Sequence, residues 1–382
     1  MRRATVAPVA IVALVATLYS FSAGFSPLSA EPEPVGAGAS ATLAQKAEQC
    51  EDDLFNYFLQ DGLIIWSKAD PTGQARYTNE NSGCANGSFL SGLSYKWSVT
   101  RDPQTRQHAQ QIAASLGMLE TITGVPGMTS RQFKLMQGPG EDEASWLQDY
   151  WHQVGPYRWL GNVSTDEMTW YLTGLCDYVM LCADGEERCK ATALIRRVVG
   201  RMLDHGMRIV DLDGSTTFWG DCSRETPREP LFCLHGLHYL KVAELCAGDQ
   251  RFAEAYEQYA ADGGYFENAV HCYERALPTG DWASYDWELA APGFELLIKS
   301  DKDAGRRARL TEGLKVLAAA PNAQVQAHLA TGVLGLGGGD QVRRWLEEFD
   351  PNGKQGPSLA WYHWAYWRAR AGRIVAGPSA GG

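Results

Sequence analysis

The stretch Tyr157–Asp177, YRWLGNVSTDEMTWYLTGLCD, joins an aromatic loop to a helix that begins with two adjacent carboxylates. Ser164 is a suitable N-cap, and Glu167, three residues later, would complete a Ser-x-x-Glu capping box. Apolar residues then recur on one helix face, at Met168, Tyr171, Leu175, Tyr178 and Cys182. Because the first turn of a helix presents free N–H groups and the positive end of the macrodipole, it favours charged Asp166 and Glu167. The stretch therefore predicts a defined helix start that serves as a cap or as a functional site.

Most of the remaining chain also follows a helical pattern. The twelve predicted helices are Ala41–Gln60, Ala85–Thr100, Asp102–Ile122, Ser164–Cys182, Glu186–Met207, Pro230–Cys246, Gln250–Ala261, Ser284–Ser300, Asp303–Ala319, Asn322–Leu334, Asp340–Phe349 and Pro357–Arg370. The clearest period of two falls in Ile209–Phe218, which predicts one short β-hairpin with Asp213-Gly214 in its turn.

The helix pattern also predicts how the helices are arranged. Several helices are amphipathic, whereas Leu359–Trp367, LAWYHWAYW, is apolar or aromatic nearly all round and belongs in the interior. The helices alternate between those with one apolar face and those that are apolar all round. This predicts an all-α fold of six helical hairpins, an (α/α)6 toroid with long loops. We expect a single toroid domain over residues 41–372 and a flexible tail over 373–382. A helical-repeat solenoid is the competing architecture, but no fixed short period is visible.

The N-terminus is typical of an exported protein. Arg2 and Arg3 precede an apolar stretch from Ala4 to Phe25, and the following SPLSA predicts cleavage after Ala30. Residues 1–30 are therefore interpreted as a signal peptide, and residues 31–40 as a flexible linker. The apolar stretch is also long enough for the alternative of an uncleaved membrane anchor. The expected location is periplasmic or extracellular.

Composition limits the possible partners. The formal net charge of −11 argues against nucleic-acid binding, which calls for a basic face. Thirteen Trp and sixteen Tyr are suited to stacking on sugar rings or to filling a large core. The sequence contains no cofactor motif, and the Cys and His spacings match no zinc pattern, so we expect neither cofactor nor metal. His235 and His238 share a helix face but have no third ligand in view.

Nine cysteines behind an export signal suggest disulfides and one unpaired thiol. Two pairs bracket short polar loops and could close locally: Cys182–Cys189 and Cys222–Cys233. Cys50–Cys84 and Cys246–Cys272 are further candidates. Cys176, inside the helix of the opening stretch, is the expected unpaired thiol because free cysteines are usually buried.

Four phrases of the chain resemble, in the same order, exported bacterial proteins of the six-hairpin glycosidase-like superfamily. They are Cys84–Trp97 with SVTRDPQTR after it, LETITGVPGMTSR, YRWLGNVSTDE and RIVDLDGSTTFWGD. The resemblance implies a toroid of helical hairpins and, by analogy with members that cleave glycosides or uronic-acid polysaccharides, carbohydrate chemistry. Asn162 stands where the resemblance implies Asp, so a role of that residue would be lost or would pass to Asp166. Gly280–Glu288 also lacks the expected His-bearing phrase.

Acidic residues beside tryptophan occur in three loops that such a ring would bring to one mouth. Hydrolysis of a glycosidic bond needs one protonated and one ionised carboxyl, and the catalytic candidates are Asp166, Glu167, Asp221 and Asp286. The candidates for substrate binding are Trp159, Arg158, Trp219, Trp282, Trp287 and Asp211. These acids also have structural interpretations. Glu167 would be a capping-box residue, Asp286 a helix N-terminal residue after a Ser284 cap, Asp166 a dipole partner and Asp213 a hairpin-turn residue.

Arg158 and Arg131 would suit the carboxylate of a uronic acid, although exposed arginines usually pair with nearby acids. Tyr157, His152 and Tyr285 are candidate bases for a lyase. The sequence thus favours an exported glycoside hydrolase whose partner is an oligosaccharide or polysaccharide. A non-catalytic glycan-binding or envelope protein, and a polysaccharide lyase or uronate epimerase, remain as alternatives.

Overall fold

A computed structural model describes residues 41–66, 80–135, 149–225, 229–275, 283–320 and 323–376, with the backbone alone for residues 275 and 283–287. Helices dominate this part of the chain, as predicted. Its fourteen α-helices are α1 (Leu43–Asp53), α2 (Ser82–Thr100), α3 (Pro103–Thr121), α4 (Thr165–Leu181), α5 (Gly185–Asp204), α6 (Pro230–Ala247), α7 (Gln250–Ala261), α8 (Gly263–Val270), α9 (Cys272–Arg275), α10 (Ala283–Ser300), α11 (Ala304–Ala319), α12 (Val325–Val333), α13 (Gly339–Glu348) and α14 (Gly356–Ala371).

Seven short strands form three antiparallel sheets in the same residues. They are β1 (Leu59–Gln60), β2 (Leu63–Ile64), β3 (Gln132–Leu135), β4 (Trp151–Val154), β5 (Tyr157–Leu160), β6 (Arg208–Val210) and β7 (Thr216–Asp221). The β6–β7 pair is the hairpin predicted from the alternation around Asp213-Gly214, and Gly214 has the positive φ of 82° that such a turn favours. A π-helical turn, Leu54–Phe58, follows α1.

Local capping chemistry sets several helix starts where the sequence predicted them. The Asp102 carboxylate accepts hydrogen bonds from the backbone N–H groups of Gln104 and Thr105 at 3.3 and 3.0 Å, and Pro103 occupies the first turn. The Asp303 carboxylate caps α11 by accepting from Arg306 N at 2.8 Å. Such caps can be predicted because they depend on residues only two or three positions apart.

Two predicted segments are wrong in detail. The first helix ends at Asp53 instead of Gln60, because the chain passes through the π-helical turn into the β1–β2 pair. The segment 124–161, which lies between two predicted helices and for which no strand was predicted, contributes a three-stranded sheet with β5 between β3 and β4. Each of these strands has only four residues, which is too short for a period of two to be distinguished.

Six helices contact one another in cyclic order. Each contacts the next, and the last contacts the first: α2, α4, α6, α10, α12 and α14. The remaining long helices pack around them, with α1 on α14, α3 on α2, α5 and α7 on α6, α11 on α10, and α13 on α12. The all-round apolar segment Leu359–Trp367 is in α14, and most of its side chains are buried, as predicted.

The neighbouring helices α2 and α4 run in the same direction. On α2, Gly87 lies against Trp170 of α4, and Tyr95, two turns later, donates a hydrogen bond to Asp177 at 3.1 Å. The packed chain extends past the predicted domain end at residue 372, since the side chains of Ile374 and Val375 are buried.

The predicted disulfides are not formed. None of the nine cysteines is in a disulfide, and eight of them are buried or half-buried while Cys189 is exposed. Cys182 and Cys189 do not bridge a loop, because α5 already begins at Gly185 and carries Cys189 on its exposed side. The closest approach described between thiols is instead between Cys176 and Cys246, whose sulfur atoms are 3.5 Å apart. Cys246 is therefore not paired with Cys272, and Cys176 is a buried thiol outside any disulfide, as predicted.

The predicted signal segment and linker, residues 1–40, lie outside the described residues. Across the described ranges, no helix combines the length and the hydropathy needed to cross a bilayer.

Candidate functional site

Arg131 connects the two chain segments that precede α2 and α4. Its side chain is 3% exposed. Nε donates to Asn162 O at 2.8 Å, Nη2 donates to Ser164 Oγ at 2.8 Å, and Nη1 donates to Asn81 Oδ1 at 2.5 Å. A planar guanidinium suits such a network because it offers several donors in a rigid fork. Arg131 therefore positions the start of α4 and is not available as an exposed ligand for a uronate.

Ser164 precedes α4 as the N-cap residue, but the predicted capping box is absent. Its Oγ accepts from Arg131 and donates to the carboxylate of Asp166. These contacts occupy the hydroxyl, so it accepts no hydrogen bond from the helix backbone. Glu167 consequently does not reach back to the cap.

Glu167 is a buried carboxyl beside Arg131. It is 2% exposed, and the distance from its Oε2 to Arg131 Nε is 3.8 Å. Within the described residues, neither oxygen has a hydrogen-bond partner. Burial raises the pKa of Glu167 well above its usual value, and the positive charge of Arg131 offsets this only in part. Its burial separates Glu167 from any ligand that enters from solvent.

Asn162 and Asp211 tie the loop before α4 to the β6–β7 hairpin. Asn162 has a left-handed φ of 52°, a conformation that Asn tolerates better than most residues. Its side-chain oxygen accepts from Phe218 N at 2.9 Å, and its own N–H donates to Asp211 Oδ2 at 2.8 Å. Asp211 Oδ1 accepts from Leu212 N. Asn162, at the position where the resemblance implies Asp, and Asp211, a candidate for substrate binding, thus both bind other parts of the chain.

Asp221 belongs to a different cluster. Its carboxylate lies 3.4 Å from Arg208 Nε and accepts a hydrogen bond from Ser223 N at 3.0 Å. Trp219 is half-buried, and its ring meets that of exposed Phe218 edge to face at 4.7 Å.

The aromatic residues of the small sheet are mostly covered. Trp159 is 2% exposed, and His152 lies over its ring at 4.3 Å. The guanidinium of half-buried Arg158 lies 4.9 Å from the ring centre of Trp151. Trp151, a sheet residue that the sequence interpretation did not select, is therefore more accessible than Trp159.

The third predicted loop is described only in part. Trp282 lies outside the described residues, and Asp286 and Trp287 are in α10 with their backbone alone described. The next residue, Glu288, is half-buried. Burial raises the pKa of its carboxyl to about 7.

A cavity of about 210 Å³ lies among the six helices of the cyclic set, and every one of them contributes to its wall. Its polar wall includes Asp177, Glu295, Lys299, Arg368 and His238. Asp177 accepts from Ser91 Oγ at 2.5 Å and from Tyr95, while burial raises its pKa. On each of the six helices, the residues that line this cavity lie on one face. We call this the axial face of the helix.

Two acidic residues lie on these axial faces, nearer the helix N-termini than the cavity. Asp166 precedes the cavity residue Thr173 by seven positions on α4, which is two helical turns. Glu288 precedes the cavity residues Ala291 and Glu295 by three and seven positions on α10. The helical repeat thus places Asp166 and Glu288 on the axial faces of α4 and α10. Asp211 and Asp221 instead belong to the β6–β7 hairpin.

An aromatic residue accompanies them on α14. Trp361 is half-buried, precedes the cavity residue Trp364 by three positions, and contacts Trp170 edge to face at 4.6 Å. Glu288, Trp361 and the polar cavity wall were not selected from the sequence. For Glu288 and the polar cavity wall, the signal in the sequence was the spacing of the polar residues Glu288, Glu295 and Lys299 along α10.

In the part of the chain that the structure describes, no three His, Cys, Asp or Glu side chains are grouped so that they could hold a metal ion. His235 and His238 are fully buried, and burial lowers the pKa of each to about 3. Both imidazoles are therefore neutral in the folded protein at physiological pH. Compared with known proteins, the chain matches no protein-family model and has no significant match among curated proteins.

Proposed function

We propose that this protein is an exported carbohydrate-active enzyme, a glycoside hydrolase built on an (α/α)6 toroid. The six helices in cyclic contact would be its inner ring, and the helices packed on them its outer ring. The observation that carries the proposal is the pair of carboxyls, Asp166 and Glu288, on axial faces that lead into a cavity lined by all six inner helices. Export rests on the N-terminal signal pattern.

Chemically, the two carboxyls have environments suited to different roles. Burial raises the pKa of half-buried Glu288 to about 7, so it can hold a proton for the leaving oxygen as a general acid. Asp166 accepts a hydrogen bond from Ser164 and is assigned the second role, that of base or nucleophile. The half-buried ring of Trp361 supplies an apolar face for a pyranose. The proposal keeps Asp166 from the sequence interpretation and replaces Asp221 by Glu288.

The reaction class is tested by incubating the purified protein with neutral and uronic-acid oligosaccharides. Reducing ends and absorbance from new double bonds are followed together. We expect new reducing ends without unsaturation. Unsaturation would instead identify a lyase, and binding without either product would identify a glycan-binding protein.

The assignment of the two carboxyls is tested by Glu288→Gln and Asp166→Asn. On the substrate found with the panel, each is expected to lower kcat by about 10²- to 10⁴-fold, because each removes a proton-transfer or nucleophilic group. Glu186→Gln is the matched control, since Glu186 is 79% exposed on α5. A Glu288→Gln enzyme with unchanged kcat and normal folding by circular dichroism would remove Glu288 from the catalytic pair.

The pH dependence gives a separate prediction. A general acid must be protonated, and the Glu288 carboxyl loses its proton as pH rises through about 7. We therefore expect kcat/KM to fall about tenfold per pH unit on the alkaline side of pH 7. This limb should be missing from the residual activity of Glu288→Gln. If kcat/KM fell equally above pH 7 in the wild type and in Glu288→Gln, the loss of activity would belong to the titration of another group.

A further inference from the structure

Cys176 and Cys246 are the two thiols that the fold brings together. Cys176 lies in the middle of α4 and is buried, and Cys246 lies in the last turn of α6 and is half-buried. The Cys246 thiol donates to Cys176 Sγ across 3.5 Å, although the residues are 70 positions apart in sequence.

We propose that Cys176 and Cys246 are a site of disulfide formation that cross-links α4 to α6 in the wall of the axial cavity. The sulfur atoms must approach from 3.5 Å to the bond length of about 2.05 Å. Cys246 can supply this displacement, because the last turn of a helix frays more readily than its middle. Cys176 lines the cavity, so the cross-link forms at the cavity surface.

The difference in exposure sets the order of the chemical steps. Cys246, the more accessible thiol, loses a proton to solvent, and its thiolate attacks a low-molecular-weight disulfide such as glutathione disulfide. One glutathione leaves as the thiolate and takes up a proton, and Cys246 carries the other in a mixed disulfide. Cys176 then gives up its proton and displaces the second glutathione, so that two protein thiols are oxidised and one external disulfide is reduced.

Cys176 is suited to this second, resolving position. The adjacent Cys246 thiol and burial raise the pKa of Cys176, which disfavours its direct attack on an external oxidant. Once Cys246 is in the mixed disulfide, the Cys176 sulfur is already adjacent to it. An intramolecular displacement at this distance is favoured over attack by a second external thiol because the reacting groups are held together.

The test uses the full chain, purified reduced and equilibrated in glutathione buffers of graded redox ratio. Thiols are then trapped by alkylation, and peptides are mapped by mass spectrometry without reduction. We expect a cross-linked pair of peptides containing Cys176 and Cys246, formed to more than half in oxidising buffer. Cys246→Ser should lack it, and Cys189→Ser, which removes the lone exposed thiol, should form it as the wild type does.

Thermal unfolding gives a second readout. Because the cross-link closes a long loop of the unfolded chain, the oxidised wild type should have a Tm higher than the reduced form by about 3 °C or more. The Tm of Cys246→Ser should not respond to the redox ratio. The proposal is overturned if Cys176 and Cys246 remain free in the most oxidising buffer, or if Cys246 accumulates only as a mixed disulfide with glutathione. Neither result depends on the proposed hydrolase activity or on export.

Discussion

Replacing Gly87 with alanine is expected to lower the free energy of unfolding by about 3 kcal/mol, at the upper end of the range for overpacked cores. Gly87 is where α2 crosses α4. A Cβ atom there would lie 2.1 Å from Trp170 O and 2.8 Å from Tyr171 N. Gly174 on α4 approaches Gly87 just as closely from the other side. The obstructing atoms are backbone, so the strain cannot be relieved by a rotamer change, and the two helices must separate.

The control for this prediction is Gly117→Ala in α3. The nearest atom to a Cβ at Gly117 is Leu194 Cδ2 at 4.0 Å, which is ordinary contact. Alanine there should stabilise the helix by up to about 1 kcal/mol. Urea unfolding of both variants measures the difference. Equal midpoints for Gly87→Ala and Gly117→Ala would mean that α2 and α4 do not cross this closely in solution.

Glu51→Gln is expected to cost about 3 kcal/mol of stability. Glu51 is 4% exposed, and its carboxylate lies 2.8 Å from Lys96 Nζ, 2.8 Å from His363 Nε2 and 2.9 Å from His108 Nδ1. The cluster joins α1, α2, α3 and α14. Removing one charge from a buried pair leaves the other uncompensated, which costs about 3–5 kcal/mol in comparable cases. A second acid, Glu48, still pairs with Lys96, so the lower figure applies.

Glu48→Gln is the matched control because it removes a partner of the same lysine. The Glu48 side chain is 50% exposed, and exposed pairs contribute at most about 1 kcal/mol. Chemical denaturation at pH 7 should therefore separate the two variants clearly. If Glu48→Gln were the more destabilising, the charge on Lys96 would be held mainly by the surface partner.

The effect of Glu51 also has a defined pH dependence. Burial alone would raise its pKa, but the hydrogen bonds from His108 and His363 and the charge of Lys96 together lower it well below the usual value. A lowered folded-state pKa stabilises the protein above the pKa of the unfolded chain, about 4.3. This contribution is lost as pH falls through the folded value. The stability gap between wild type and Glu51→Gln should therefore narrow below about pH 4.

Helix starts were the most predictable part of the fold. Ser164, Asp102 and Asp303 each precede the helix that the sequence assigned to them, because a cap depends on neighbours within one turn. The Asp213-Gly214 hairpin was predictable for the same reason. The capping box at Glu167 was not, because Arg131, a residue 36 positions away in the sequence, binds the hydroxyl that the box requires.

Placement of the candidate site required tertiary contacts. From the acid-and-tryptophan pattern, the sequence analysis selected Asp166 and Asp221 as catalytic candidates and Asp211 as a substrate-binding candidate. In the fold, Asp211 binds the backbone of Asn162 and Asp221 pairs with Arg208, whereas Asp166 is on the axial face of α4. Glu288 is one residue from the predicted Trp287 and two from Asp286. Only the residues that α10 contributes to the cavity wall show that Glu288 lies on the inward-facing side of that helix.

By itself, the amino-acid sequence determined the helical class, most helix starts, one hairpin and the interior position of the aromatic helix α14. These features follow from residue periodicity and from contacts between near neighbours. The tertiary structure alone decided that Glu167 is buried against Arg131, that Gly87 and Gly174 bring two helices together, and that Cys176 meets Cys246. Each of these depends on which faces of distant segments meet, and that is set by close packing of the whole core.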